Sequence, residues 1–412
     1  MDKLVHDWNQ PPGSPGASAP TAVLDDTLRD GLQNASVRLP SLDARLLLVR
    51  RAAELGVECV NLGLPAASDV AFEETAALCR AIREERVPLS VACAGRTLVR
   101  DMEPIVELVQ RTGLRVEAHC FVGSSPVRLL AEGWSPSELE QRSARAIDVA
   151  VRAGLEAVFV TEDTTRSRPD FLERLFARAL DHGATRLCLC DTVGHATPEG
   201  ASRLVEFARS VVERSGTRAR LDWHGHNDRG LGLAAALAAV RAGVDRVHAT
   251  ALGIGERVGN TPLELLVLNL ALEGRWPHRL EALGDYVDTV ARVLGWSIPK
   301  NYPVFGENAF RTATGVHAAA IRKAEARDKK LADLVYSSVP SAWFGREQRI
   351  AIGPMSGTSN VKTWLERENV PVEPELVAHI VRAAKRSDHI LSDAELHELV
   401  REHTLKEPQG RT

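Results

Sequence analysis

Short apolar runs punctuate the first two-thirds of the chain at intervals of ~30 residues, the spacing of repeated strand–helix pairs. They are TAVLDD (21–26), VECVNLG (57–63), PLSVACAG (88–95), RVEAHCFV (115–122), EAVFVTED (156–163), TRLCLCDT (185–192), ARLDWHGH (219–226) and RVHATALG (246–253). Their apolar character suits strands of a parallel sheet covered on both faces. The stretches between them carry apolar residues at helical intervals. In SLDARLLLVRRAAELG, Ser41 can cap the start of a helix and Gly56 can end it. SELEQRSARAIDVAVRAG and TPEGASRLVEFARSVVERSG follow the same plan. Eight such units over residues 21–275 predict an α/β fold, a (β/α)8 TIM barrel, which typically takes ~250 residues. A doubly wound open sheet would place a glycine-rich phosphate turn after the first strand, and TLRDGLQ is not one.

Residues 276–412 lose this rhythm and predict small helical subdomains from LGDYVDTVARVLG, GVHAAAIRKAEA, SNVKTWLERE, PELVAHIVRAAKRS and SDAELHELVREH. Ser359 and Ser392 are candidate N-caps there. Residues 1–20, with NQPPGSPGASAP, lack the apolar core of a signal peptide and read as a flexible arm. Composition then works by exclusion. Hydrophobic residues at 44% and charged residues at 26% are ordinary for a globular chain. A net charge of −4 offers no basic footprint for nucleic acid, and no apolar run approaches the ~18 residues of a membrane span. Four of the six cysteines (Cys59, Cys93, Cys188, Cys190) lie in apolar runs, as reduced, buried thiols of a cytoplasmic protein would. Cys188 and Cys190 could hold a metal, but RLCLCD has the pattern of a buried strand.

A barrel predicts where chemistry sits: at the C-terminal ends of strands and in the loops after them. Polar residues collect at those positions. Arg29 and Asp30 follow strand one, and Arg96 follows strand three. His119 lies on strand four with Ser124, Ser125 and Arg128 behind it, and Glu162 and Thr192 end strands five and six. His224 and His226 end strand seven, and Asn260 closes GIGERVGN after strand eight. The two histidines, i and i+2 on a strand, point to one face. Two imidazoles and a carboxylate from another strand make a common divalent-cation site with open positions. Asp30 is the natural third ligand, because strands one and eight adjoin in a closed barrel and seven is next. The alternative is two histidines hydrogen-bonded at a strand end.

These residues carry a family resemblance. LDDTLRDGLQ (24–33) resembles the R-D-G-x-Q signature of the DRE-TIM metallolyase superfamily. HGHNDRGLGLAAALAAVRAGVDRVHATALGIGERVGNTPLE (224–264) is similar to the second signature of its 2-isopropylmalate, homocitrate and citramalate synthase group. GLPAAS (63–68), FVGSSP (121–126), EDTTR (162–166) and DTVGHATP (191–198) match in order, and TATGVHAAA (312–320) extends the resemblance past the barrel. The resemblance implies an acyltransferase of amino-acid biosynthesis. It would join acetyl-CoA to a 2-oxo acid in a metal-dependent Claisen condensation, giving a 2-hydroxy diacid and CoA. Asp30, His224 and His226 would hold a divalent cation (Mg, Mn or Zn), with Asn260 at or near it. Arg29 would stabilise the developing oxyanion, and Thr192 would bond the oxo-acid carboxylate. Glu162 and His317 would move protons; His119, Arg96 and Ser125 complete the candidate substrate contacts. Plainer readings stand beside these: an ion pair of Glu162 with Arg166, a helix-start role for His317, a structural one for Arg29.

Small-molecule substrates would be its ligands, and neither nucleic acid nor a membrane would be a partner. The protein would be a cytoplasmic homodimer whose helical subdomains act as lid and dimer contact, with His317 brought over the partner's site. No strand-rich C-terminal regulatory domain is expected, and so no inhibition by leucine. Glu256 and Arg257 stand in the glycine-rich loop where hydroxymethylglutaryl-CoA lyases carry a cysteine, which favours a synthase over a lyase. Asn61, Arg128 and Arg229 depart from the isopropylmalate synthase pattern. Arg128 could clamp a second carboxylate, as a homocitrate synthase-like enzyme for a dicarboxylic oxo acid would need. It could equally lie outside the pocket or meet the CoA phosphates. GLPAAS leans toward a small or branched apolar oxo acid.

Overall fold

The computed structural model describes residues 19–406 together with His6, Trp8 and Asn9. Most of the expected N-terminal arm therefore lies outside the described residues. Eight parallel strands close into one barrel in chain order. They are β1 (Ala22–Asp25), β2 (Cys59–Asn61), β3 (Ser90–Arg96), β4 (Val116–Gly123), β5 (Ala157–Glu162), β6 (Arg186–Asp191), β7 (Arg220–Gly225) and β8 (Arg246–Ala249). Closure comes from β1 pairing with β8, Leu24 opposite His248, and from β7 pairing with β8, His224 opposite His248.

Helices α1 (Leu42–Glu54), α2 (Asp69–Glu85) and α3 (Val99–Thr112) follow the first three strands. After β4 come two helices, α4 (Pro126–Glu132) and α5 (Pro136–Arg152). Then α6 (Pro169–Asp181), α7 (Pro198–Ser215), α8 (Gly232–Arg241) and α9 (Leu263–Leu272) complete the ring. Side-chain oxygens of Ser41, Ser68, Ser125, Ser135 and Thr197 accept a backbone N–H from the first turn of the helix each precedes. Such caps satisfy amides that have no partner within the helix.

Each apolar run contains one strand, and two of the strand ends bear directly on the site. β8 stops at Ala249, where the Thr250 amide turns to the Thr261 carbonyl. β7 stops at Gly225, so His226 lies one residue past it, in an isolated antiparallel bridge to Asn260. All six cysteines are buried thiols.

The chain forms two compact units, Met1–Trp296 and Ser297–Thr412. The first continues past residue 275 because α10 (Ala282–Leu294) packs on α1, and the Leu294 carbonyl accepts the Arg38 amide at 2.9 Å. The second holds α11 (Gly315–Glu325), α12 (Lys329–Val335), α13 (Thr358–Arg367), α14 (Pro374–Arg386) and α15 (Asp393–Lys406). Two short parallel strands accompany them, β9 (Arg311–Thr312) and β10 (Arg349–Ile350). Val361, Trp364, Leu365, Leu376, Ile380 and Leu396 form the core of its last three helices. Ser392 caps α15 in a capping box with Glu395. Ser359, by contrast, lies inside α13, which starts from Gly357. Among the described residues, no helix is long and apolar enough to cross a membrane.

The barrel interior is ionic low down. Strand alternation turns Glu117 and His119, Asp222 and His224, and Arg246 and His248 to one side in pairs. Arg246 bonds Asp222 at 2.8 Å and Glu117 at 2.7 Å, and Arg186 bonds Asp222 at 2.7 Å. Arg186, Asp222 and Arg246 are buried, so each charge depends on these partners. Burial opposes ionisation of Asp222 and Glu117, yet Arg246 and the neighbouring histidines hold both carboxyls well below the ordinary carboxylate range. A depressed folded-state pKa contributes stability that is complete above the unfolded value near ~4 and is lost as pH falls through lower values. Asp222→Ala is expected to lower the unfolding free energy by about 3–5 kcal/mol. Denaturant midpoints measured from neutral to acid pH should fall below pH ~4 in the parent protein and fall less in the variant. An unchanged midpoint at neutral pH would show that the network adds no stability.

Candidate active site

A cavity of about 220 Å³ opens among the C-terminal ends of the strands, and every one of the eight strands or its following loop contributes to its lining. On one side stand Arg29 and Asp30, delivered by the tight turn after β1, in which the amides of Arg29 and Asp30 bond the Asp26 carbonyl. Next to them are His224 and His226, and Glu162 and Thr192 also line the cavity.

Asp30 Oδ2 lies 3.3 Å from His224 Nε2 and 3.5 Å from His226 Nε2, and the two imidazole nitrogens are 3.2 Å apart. The other nitrogen of His224, Nδ1, faces Asp26 Oδ2 at 3.4 Å. Arg29 bridges both carboxylates: Nε and Nη2 donate to Asp26, and Nη1 lies 3.2 Å from Asp30. Asn260 Nδ2 donates to Asp30 at 3.2 Å, while its Oδ1 is buried without a partner, as is His226 Nδ1. Asp30 Oδ1 accepts the Glu256 amide at 3.1 Å, so the glycine-rich loop is tied to the turn after β1.

Electrostatics follow from this packing. Burial opposes protonation of His224, but its bonds to Asp26 and Asp30 outweigh burial and raise it to about 10. Burial and the adjacent His224 lower His226 to about 4. Burial likewise lowers His248 to about 4 against the pull of Asp222, 3.1 Å from its Nε2. Asp30 is buried too, yet Arg29 and the histidines hold it well below the usual carboxylate range. Glu162 goes the other way: burial raises it, opposed by Arg128, Arg29 and His224.

Asp30, His224 and His226 can each turn one ligand atom to a common point. One carboxylate and two imidazoles suit a divalent cation that keeps open positions for a ligand. Asp26 on the far nitrogen of His224 is the carboxylate–histidine support such sites use. The unpartnered Asn260 Oδ1 beside them fits the same purpose. The residues present therefore fit the implied metal.

The structure brings Arg29, Asp30, His119, Glu162, Thr192, His224 and His226 into this one cavity, with Asn260 behind the ligand set. Arg96, Ser125 and Arg128 are not in its lining. Arg96 folds back on Asp101, bonded at 2.5 Å, because the turn into α3 places that carboxylate beside it. Ser125 is occupied as the cap of α4 and by a bond to the Asp163 carboxylate. Arg128 lies on α4, 3.7 Å from Glu162 and 3.2 Å from Glu132. Arg166 pairs with Asp163 at 2.6 Å, so the Glu162–Arg166 pair is replaced by Glu162–Arg128. His317 belongs to the second unit, near the start of α11, with its ring centroid 4.0 Å from that of Tyr336.

Sequence reasoning gave Asp26 no role at the site and passed over His248. The double acid Asp25–Asp26 at a strand end was one signal. The i, i+2 pair Arg246 and His248 was another, since alternation turns both inward. It also missed a strap across three loops: Arg257 bonds Asp228 at 2.8 Å and the Thr192 carbonyl at 2.6 Å.

A closed (β/α)8 barrel with a buried acid–imidazole cluster and a separate carboxylate in one cavity at its strand ends has the architecture of a barrel enzyme with its active site at the strand ends. The chain belongs to the HMGL-like family, whose model matches residues 21–289. It is 35% identical over 367 residues to a putative (R)-citramalate synthase of Methanopyrus kandleri, covering 88% of this chain and 68% of that one. It is 30% identical over 373 residues to a 2-isopropylmalate synthase of Nitratidesulfovibrio vulgaris, covering 88% and 69%. Among solved structures, the HMG-CoA lyase of Bacillus subtilis superposes with a TM-score of 0.59 at 20% identity, covering 69% of this chain and 96% of that chain. At that identity the likeness is one of fold.

Gly255 lets Asn260 reach Asp30: a Cβ at 255 would lie 1.7 Å from Asn260 Oδ1 and 3.2 Å from Asp30 Oδ1. Gly255→Ala is therefore expected to weaken Mn²⁺ affinity roughly 10-fold or more, measured by calorimetry, while thermal unfolding stays cooperative. Unaltered affinity would remove Asn260 from the ligand set.

Proposed function

We propose that this protein condenses acetyl-CoA with a 2-oxo acid in an alkylmalate synthase-type reaction that depends on a divalent cation. The observation that carries the reading is the convergence of Asp30, His224 and His226 in a cavity that Arg29, Glu162 and Thr192 also line. The names of its relatives, 2-isopropylmalate synthase and citramalate synthase, support the same reaction type.

A divalent cation held by Asp30, His224 and His226 would act as a Lewis acid on a chelating 2-oxo acid. The chain's own groups do the rest. Glu162, kept partly desolvated, accepts a proton from the acetyl methyl group, within the reach general-base catalysis requires. The resulting carbon nucleophile attacks the keto carbon, and Arg29, held rigidly by Asp26 and Asp30, faces the oxygen on which negative charge grows. The Thr192 hydroxyl oxygen accepts the Asp163 amide at 2.8 Å, which leaves its proton to donate to the oxo-acid carboxylate. Hydrolysis of the thioester then releases CoA.

The lining also bears on the oxo acid. Leu64, Ala94, Phe121 and Val160 form an apolar wall, and Arg29 and Arg257 are already paired with Asp26, Asp30 and Asp228. A second carboxylate on the substrate would be poorly matched there, which supports a small or branched apolar oxo acid over a dicarboxylic one. The reading includes a cytoplasmic homodimer, a lid and dimer-contact role for the second unit, and proton transfer by His317, supported by the resemblance carried by residues 312–320.

The test is release of CoA thiol with Mg²⁺ or Mn²⁺ across pyruvate, 2-oxobutyrate, 2-oxoisovalerate and 2-oxoglutarate. Release is expected with the apolar acids, and His224→Ala should lose both release and bound metal. Absence of release with every acid sinks the reading, and a clear preference for 2-oxoglutarate overturns the substrate class.

A further inference from the structure

β4 ends at Gly123, which lies in register with Glu162 at the end of β5. Two residues on, the Ser125 hydroxyl accepts the Arg128 amide at 3.3 Å and starts α4. Arg128 thus leaves the first turn of α4 directly across Gly123. A Cβ at 123 would come within 2.7 Å of Arg128 Nε and 3.0 Å of its Cβ and Cγ. Gly123 is not among the glycines with positive φ, so it is the space it leaves, not its backbone conformation, that this position uses. Through that space Arg128 Nη2 comes 3.7 Å from Glu162 Oε2, and its other contact is Glu132 Oε1 at 3.2 Å, one turn along α4. Glu162 lines the cavity and Arg128 does not.

We propose that Arg128 is a positioning residue for Glu162, an ion-pair partner outside the rim that orients its carboxylate toward the reacting centre, and that Arg128 makes no contact with substrate. This rests on the reading of Glu162 as the proton acceptor. Four groups face Glu162: Arg128 from α4, Arg29 from the turn after β1 and His224 from β7 favour its charged form, and the adjacent Asp163 opposes it. Arg29 and His224 are each bonded to Asp26 and Asp30. Among the described residues, Arg128 is the cation within ion-pair distance of Glu162. A counter-ion on one side of a carboxylate biases its orientation before reaction, and misplacement of such a group by about 1 Å can cost up to ~100-fold in rate.

Three variants of the full chain test the assignment: Arg128→Gln, Arg128→Lys and Gly123→Ala. The last removes no charge but displaces the Arg128 side chain. Titration of the Glu162 carboxyl by ¹³C NMR, identified by its loss in Glu162→Gln, reads the contact without any assay of activity. Losing a nearby cation raises a carboxyl pKa, so Arg128→Gln and Gly123→Ala should move Glu162 up by roughly half to one unit, and Lys should restore most of the shift. The acidic limb of kcat/KM should move to higher pH by the same amount, because the carboxylate form is the active one. In both variants kcat should fall roughly 10-fold with the oxo-acid KM little changed. An unmoved Glu162 titration overturns the proposal. So does a raised oxo-acid KM with unaltered kcat, which would make Arg128 a substrate clamp. Absence of thiol release from the parent protein would sink the condensation reading instead, and the carboxyl titration would still decide the Arg128–Glu162 contact.

Discussion

Arg246 has no exposed surface, and a guanidinium in that position must find its counter-charges inside the barrel. Asp222 and Glu117 supply them from β7 and β4, and Arg186 shares Asp222 from β6. The rest of the interior is arranged on this ionic layer. Two residues further along the same strands come His119, His224 and His248, and Glu117 and Asp222 reach up to hold the first and last of these. Strand alternation alone places the histidines inward, but the paired charges below fix where their rings stand. His248 packs edge-on against His224 and stacks on His119, with ring centroids 5.7 and 5.6 Å apart.

Above that layer a second set of charges is balanced in a different way. Asp26 and Asp30 share Arg29 and also flank His224 on its two nitrogens. Both carboxylates are buried, and the set carries more negative than fixed positive charge until His224 is protonated or a cation arrives. The three convergent ligand atoms, the unpartnered Asn260 oxygen and the room left by Gly255 belong to this one arrangement. The loops that complete it are not free-standing: Arg257, in a left-handed backbone conformation at φ 58°, straps the β6, β7 and β8 loops through Thr192 and Asp228.

The same barrel is shared with HMG-CoA lyases at an identity that speaks only for fold, so what the barrel does is decided at its rim. There the chain carries Glu256 and Arg257 in the glycine-rich loop, and an apolar wall faces the acid–imidazole cluster. Arg128, which stands out in the sequence as a possible substrate clamp, turns instead to Glu162. The short helix α4 and the bare backbone of Gly123 make that turn possible.

The period of the apolar runs was enough to read eight strand–helix units, because a parallel barrel strand is buried on both faces and its helix on one. The i, i+2 spacing of His224 and His226, with Asp30 on a near strand, was enough to mark a candidate ligand set, because strand pleating and barrel closure act on any such sequence. Partner choice among charges was not legible. Arg166 takes Asp163 rather than Glu162, Arg96 takes Asp101, and Ser125 is spent on a helix cap. Nor did spacing reveal that Asp222 supports His248 or that Asp26 supports His224. Those pairings depend on distances between residues far apart in the chain and on which of several nearby opposite charges loses the most water on burial. Local periodicity carries no information about either, and only the closed barrel settles them.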